Sequence, residues 1–243
     1  MNGLIALIAL FSDVITPGLI INPPNEVSGF YSNGAILTPT KVALRDHLFF
    51  FHPERDRSYS STRMAETLYF STAALTELFP ESESLGVGDI SAQKGGELSG
   101  HASHQNGLDV DVSFYRSDFV APAQMTSVVK NGVVSDDFDK LRNFSFIQIW
   151  VEQANAQRIF IDGAIKHSLC QWAYDAPELT SLTKEAKSEV LRRLRPYPNH
   201  DNHFHIRLRC PAESKKCLAQ AEVPEGDGCD STDQILESEA EGC

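Results

Sequence analysis

Two short segments alternate strictly between apolar and polar side chains: residues 108–114 (LDVDVSF) and residues 203–209 (HFHIRLR). Successive side chains of a β-strand point to opposite faces, so a half-buried strand reads this way and a helix does not. In the first segment Leu108, Val110, Val112 and Phe114 share one face, and Asp109, Asp111 and Ser113 share the other. In the second, Phe204, Ile206 and Leu208 oppose His203, His205, Arg207 and Arg209. Each strand thus has an apolar side for a core and a polar side for a cleft. If the two are neighbours, carboxylates and imidazoles converge on one surface.

The rest of the chain supplies helices to cover such a sheet. Residues 62–79 place Met64, Leu68, Leu75 and Leu78 at helical spacing. A second helix is expected from about Phe144 to Gln157, then a short strand at 158–162 (RIFID) leading into another helix. Residues 184–195 (KEAKSEVLRRLR) carry acids early and arginines late, as the helix dipole favours. Gly86, Gly88, Gly95, Gly96 and Gly100 punctuate a long irregular stretch. Helices mixed with alternating strands predict an α+β fold around a small, mostly antiparallel sheet with flanking helices.

Composition limits the partners. The 243 residues are 42% hydrophobic and 22% charged, ordinary for a globular chain. The net charge is −12, yet residues 218–243 hold eight acids and no Lys or Arg, so the remainder carries only about −4. This segment reads as a disordered acidic tail, and the chain lacks the clustered Lys and Arg that nucleic acid requires. No apolar run is long enough for a stable membrane span. Residues 1–27 read as a signal peptide and lead-in, with Leu4–Phe11 as its apolar stretch, although the first basic residue of the chain is Lys41. The five cysteines, at 170, 210, 217, 229 and 243, include no Cys-x-x-Cys pair. Cys210 with Cys217 would close a short loop and Cys170 with Cys229 a longer one, leaving one cysteine over. Such bonds require an oxidising compartment, consistent with export.

Five of the eight histidines fall in two segments. One runs Gly100-His101-Ala102-Ser103-His104-Gln105-Asn106-Gly107-Leu108-Asp109-Val110-Asp111, the other His200-Asp201-Asn202-His203-Phe204-His205. Imidazole nitrogens and carboxylate oxygens are what a borderline cation such as zinc takes as ligands. A lone H-x-H or D-x-D would carry little weight; together, on strands with apolar backs, they point to a metal. His104, Asp111 and His205 are the expected ligands, with Gly107 permitting the tight turn that folds His104 over Asp111. Three such ligands leave a fourth position open, the mark of catalytic rather than structural zinc. His203, on the same strand face as His205, would then act as general base or stabilise a developing oxyanion.

These residues also resemble a family. H-x-x-G-x-D-x-D from His104 to Asp111, followed far downstream by H-x-H from His203 to His205, is similar to the signature of the LAS metallopeptidases (lysostaphin, D-Ala-D-Ala peptidases, sonic hedgehog). Within that group GHASHQ-x-GLDVD from Gly100 to Asp111 and H-x-x-H-x-H-x-RLRCP from His200 to Pro211 look like the penicillin-insensitive murein endopeptidases. SNG at 32–34, RIF at 158–160, AIKHSLC at 164–170 and GDGC at 226–229 look similar too, so the resemblance spans about residues 28–230. It implies a hedgehog/D-Ala-D-Ala-peptidase-like domain over 28–217. It also implies a periplasmic zinc enzyme that cuts D-Ala–meso-diaminopimelate cross-links in peptidoglycan. It assigns the metal to His104, Asp111 and His205, sometimes with His101, the base to His203 and a further active-site role to His200. Asp109 has no ligand role in it and reads as a residue that orients a histidine or a substrate amine. Two disulfides, Cys170–Cys229 and Cys210–Cys217, are implied. The family's cysteine after SNG is here Ala35, so Cys243 is expected to be unpaired. A second, looser metal site would need a histidine near 130–133, where none stands, so one zinc is expected. Three other readings remain distinguishable: a D,D-carboxypeptidase or dipeptidase on the same fold, a non-catalytic zinc-bearing wall-binding module, and a disulfide-stapled domain without metal.

Overall fold

The structure, a computed structural model, describes residues 27–230. The expectations for the export leader, for the end of the acidic tail and for Cys243 lie outside the described residues. The chain opens with a hairpin of β1 (Val27–Phe30) and β2 (Asn33–Ile36). The lead-in read from the sequence therefore reaches into the domain: Val27 is buried, and its N–H donates to Ser214 Oγ at 3.0 Å. Short strands β3 (Thr40–Lys41), β4 (Leu48–Phe50) and β5 (Tyr59–Ser60) lead to helix α1 (Thr62–Leu78). The Ser61 hydroxyl caps α1 by accepting the Met64 N–H at 3.2 Å. Its buried face holds Met64, Leu68 and Leu75, as the helical spacing predicts.

After β6 (Leu85–Val87) the glycine-rich stretch is irregular as far as β7 (Asp109–Ser113). A small hairpin, β8 (Val129–Lys130) and β9 (Val133–Val134), precedes helix α2 (Lys140–Ala154). Helix α2 begins four residues before the predicted start because Asp139 caps it, accepting the Arg142 N–H at 2.9 Å. It stops at Ala154 because Asn155 takes a left-handed φ of 52°. Strand β10 (Ala156–Ile161) follows at once, then α3 (Gly163–Ala173) and α4 (Lys184–Arg193). Leu194, expected at the end of that last helix, instead starts β11 (Leu194–Pro196), and β12 (His203–Leu208) completes the elements.

Six strands form the central sheet in the order β11-β10-β12-β7-β6-β4. The four inner strands pair antiparallel, as predicted, while the two outermost pairings, β10–β11 and β4–β6, are parallel, making the sheet mixed. The two alternating segments are direct neighbours, β7 against β12. Their apolar faces form the core: the Phe114 and Phe204 rings meet edge-on at 4.6 Å, and Phe146 of α2 lies 6.4 Å from Phe204. Helix α1 packs on α2 behind them.

Both implied disulfides are present, Cys170–Cys229 and Cys210–Cys217. The first ties residues 218–230, assigned from composition to the acidic tail, onto α3. In this segment Gln220 and Val223 are buried. Among the described residues no helix is long and apolar enough to cross a membrane.

Candidate active site

The register of β7 and β12 sets His205 opposite Asp111, Arg207 opposite Asp109 and His203 opposite Ser113. Directly opposed residues of an antiparallel pair share a face, so the acids and imidazoles meet as the alternation requires. His104 arrives from the loop before β7. Gly107, at φ 71°, turns that loop back; a Cβ there would sit 2.2 Å from Ile36 Cδ1. His104 itself holds a left-handed φ of 66°, uncommon for a residue with a side chain. Two bonds hold it there: its main-chain N–H donates to Asp109 Oδ2 at 3.1 Å, and its Nδ1 lies 2.9 Å from the Ile90 carbonyl. A carbonyl only accepts, so Nδ1 carries the hydrogen and Nε2 is turned to Asp111 Oδ1, 3.3 Å away.

The other rings gather round the same carboxylate. His101 Nδ1 is 3.7 Å from Asp111 Oδ2, and His203 Nε2 is 3.5 Å from Asp111 Oδ1. One ligand atom each from His101, His104 and Asp111 can be chosen within 4.8 Å of one another. His205 lies against His104, with ring centres 4.5 Å apart, its Nδ1 3.8 Å from Asp111 Oδ1 and its Nε2 3.1 Å from Asp109 Oδ1. His200 stands behind, 4.9 Å from the His203 ring and 5.6 Å from the His205 ring. Its Nδ1 donates to the Pro198 carbonyl at 2.7 Å. All the residues singled out from the sequence thus fall in one place.

Burial makes the electrostatics sharp. Burial alone would lower the His104 pKa, but the Asp111 charge, with Asp109 behind, raises it to about 9. The protein's own charges therefore draw positive charge to the His104 ring, which is what a cation there supplies. His205 is pushed down to about 3, first by burial and then by the His104 charge, and His200 to about 4 by burial and the His203 charge. Both are neutral at working pH and keep a lone pair. Asp111 is held well below the usual carboxylate range: burial opposes this, but His104 and His203 outweigh it.

The hydrogen bonding shows the same demand. His104 Nε2 and Asp111 Oδ1 are buried with no aligned partner. Each such atom costs about 1–3 kcal/mol unless something satisfies it. Converging imidazole nitrogens and a carboxylate oxygen fit a zinc-like cation in donor type and in charge.

The model of the penicillin-insensitive murein endopeptidase family matches residues 27–241. The chain belongs to that family. It is similar, at 31% identity over 252 residues, to the penicillin-insensitive murein endopeptidases of Escherichia coli K12 and Shigella dysenteriae, covering 93% of this chain and 84% of each relative. The Haemophilus influenzae relative of the same name is 31% identical over 220 residues, 83% of this chain and 69% of that one.

The structure gives roles at the site to three further residues. Arg207 is fully buried, and its Nε donates to Asp109 Oδ1 at 2.7 Å while its guanidinium lies 4.1 Å from the Tyr31 ring centre. Gln220 accepts from Arg207 Nη1 at 2.9 Å, so the segment after β12 braces the site from beneath. Asp89 Oδ2 receives Arg57 Nη1 at 2.8 Å and His101 Nε2 at 2.9 Å. Arg207 had a signal, since alternation put it on the polar face. Asp89 and Gln220 stand in irregular segments with no period to reveal them.

Proposed function

We propose that this chain is a zinc-dependent murein endopeptidase acting outside the cytoplasm. It hydrolyses the D-Ala–meso-diaminopimelate cross-links of peptidoglycan, with His104, Asp111 and His205 as metal ligands. The observation that carries this reading is the meeting, on one buried face of β7 and β12, of ligand-type atoms without hydrogen-bond partners. Family membership and the cell-wall names of the relatives support the substrate, and the two disulfides support an oxidising compartment.

Zinc at these ligands would supply a Lewis acid and bring the pKa of a water it carries down to about 7. The chain's own groups do the rest. His203, the most exposed of the β12 histidines, takes the proton of the attacking water and returns one to the leaving amine. His200, neutral and with Nδ1 committed to Pro198, keeps its other nitrogen for the reacting groups. Asp109, fixed by Arg207, orients His205 through Nε2 and leaves Nδ1 facing Asp111.

The test is digestion of purified cross-linked muropeptide dimers with and without a chelator. Conversion to monomers, abolished by chelator and restored by zinc, is the expected result. Release of terminal D-Ala alone would make the chain a carboxypeptidase, and zinc binding without turnover would make it a binding module.

A further inference from the structure

Residues 88–90, directly after β6, touch the site at four points. Gly88 N–H donates to the Asp111 carbonyl at 2.8 Å, and the Asp89 carbonyl accepts the Asp111 N–H at 3.1 Å. The Ile90 carbonyl fixes the His104 ring. The fourth point is the Asp89 side chain, almost wholly buried, whose Oδ2 lies 2.9 Å from His101 Nε2. A carboxylate at this distance accepts, so Nε2 of His101 carries the hydrogen. That leaves the lone pair of His101 on Nδ1, the nitrogen 3.7 Å from Asp111 Oδ2. Arg57 Nη1 at 2.8 Å and Arg55 Nη1 at 3.5 Å approach the same Asp89 oxygen from the segment between β4 and β5. The His101 hydrogen bond and then Arg57 keep the carboxyl below its ordinary range against its burial. The Arg57 guanidinium is itself anchored on the Ser99 carbonyl at 3.0 Å, two residues before His101.

We propose that Asp89, clamped by Arg57, is a positioning residue of the site: it holds His101 in the tautomer and orientation that turn Nδ1 toward Asp111 and the metal. This rests on the metal reading above and adds His101 to its ligands, in the cluster it forms with His104 and Asp111. Carboxylate–imidazole pairs of this kind fix ring orientation and raise ligand basicity, and their loss weakens metal binding by about 10–100-fold. A bland alternative is that Asp89 merely pins the loop by pairing with the two arginines. A double-mutant cycle separates the two, because a positioning role vanishes when the ring it positions is gone.

The experiment measures zinc affinity by competition with a chromophoric chelator, on the full chain, for wild type, Asp89→Asn, His101→Ala and the double variant. Asparagine is isosteric, and a thermal melt of each variant checks that it folds. The expected result is about 10–100-fold weaker zinc for Asp89→Asn, with no further loss when Asp89→Asn is added to His101→Ala. Ring-nitrogen NMR of His101 gives a readout that needs no metal: the proton sits on Nε2 in wild type and loses that preference in Asp89→Asn. Undiminished zinc affinity in Asp89→Asn, a full additive loss in the double variant, or a wild-type His101 protonated on Nδ1 would each overturn the proposal. Wild type that binds no zinc would defeat the metal reading instead, and the tautomer measurement would still decide the role of Asp89.

Discussion

Arg207 and Asp109 are both fully buried, and each supplies what the other needs. Asp109 accepts from Arg207 Nε and from the His104 main chain, and it faces His205 Nε2. Its pKa is lowered despite burial, because the Arg207 charge and the His205 contact outweigh the loss of water. Removing one partner of such a pair leaves a buried charge alone, which costs about 3–5 kcal/mol. Arg207→Ala is therefore expected to lower the melting temperature strongly and to lose zinc, since the residue orienting His205 loses its anchor. Arg207→Lys keeps the charge but not the contacts of a planar guanidinium with Asp109, Gln220 and Tyr31, and should recover only part of the stability. A melt of both variants, each with and without zinc, checks this; an Arg207→Ala protein as stable as wild type would show that the pair is not structural.

At the scale of elements, β7 and β12 bring the proposed ligands together, and Gly107 lets the His104 loop join them. Its left-handed φ and the close approach of Ile36, Ser60 and Ser61 leave no room for a side chain. Gly107→Ala is expected to cost about 1–3 kcal/mol in strain and to weaken zinc as His104 shifts, which denaturant unfolding and a metal titration would measure. These elements were legible because strict alternation over six or seven residues has one structural meaning, and because histidines and acids fell on its polar side. The edge strands β4 and β11, and β6 beside β4, were not legible. Three residues carry no period, and Leu194 continues a helical pattern until tertiary pairing with Ile159 overrides it. Asp89 was invisible for a related reason: one acid between Gly88 and Ile90 resembles any loop acid until the fold brings His101 and Arg57 to it. Composition likewise gives no sign that, among the scattered acids of residues 218–230, Gln220 and Val223 are buried.

For the whole molecule, the Cys170–Cys229 bond joins α3 to that last segment, and Gln220 within the same segment reaches Arg207. Folding of the C-terminal segment and order at the site are thereby linked. Replacing both cysteines by serine opens a cross-link spanning 59 residues and is expected to cost about 2–5 kcal/mol, with zinc affinity falling as the segment loosens. A doubly substituted protein that melts with wild type would show that the segment is held by packing alone. The claim on which everything else depends is the division of labour on β12, with His205 holding metal and His203 moving protons. The most direct measurement is bound zinc per chain, alongside turnover of cross-linked muropeptide, for wild type, His205→Ala and His203→Ala. The account predicts one zinc in wild type, loss of zinc and activity in His205→Ala, and retained zinc with a turnover loss of about 10²–10⁴-fold in His203→Ala. Release of zinc by His203→Ala, or full metal retention by His205→Ala, would contradict it.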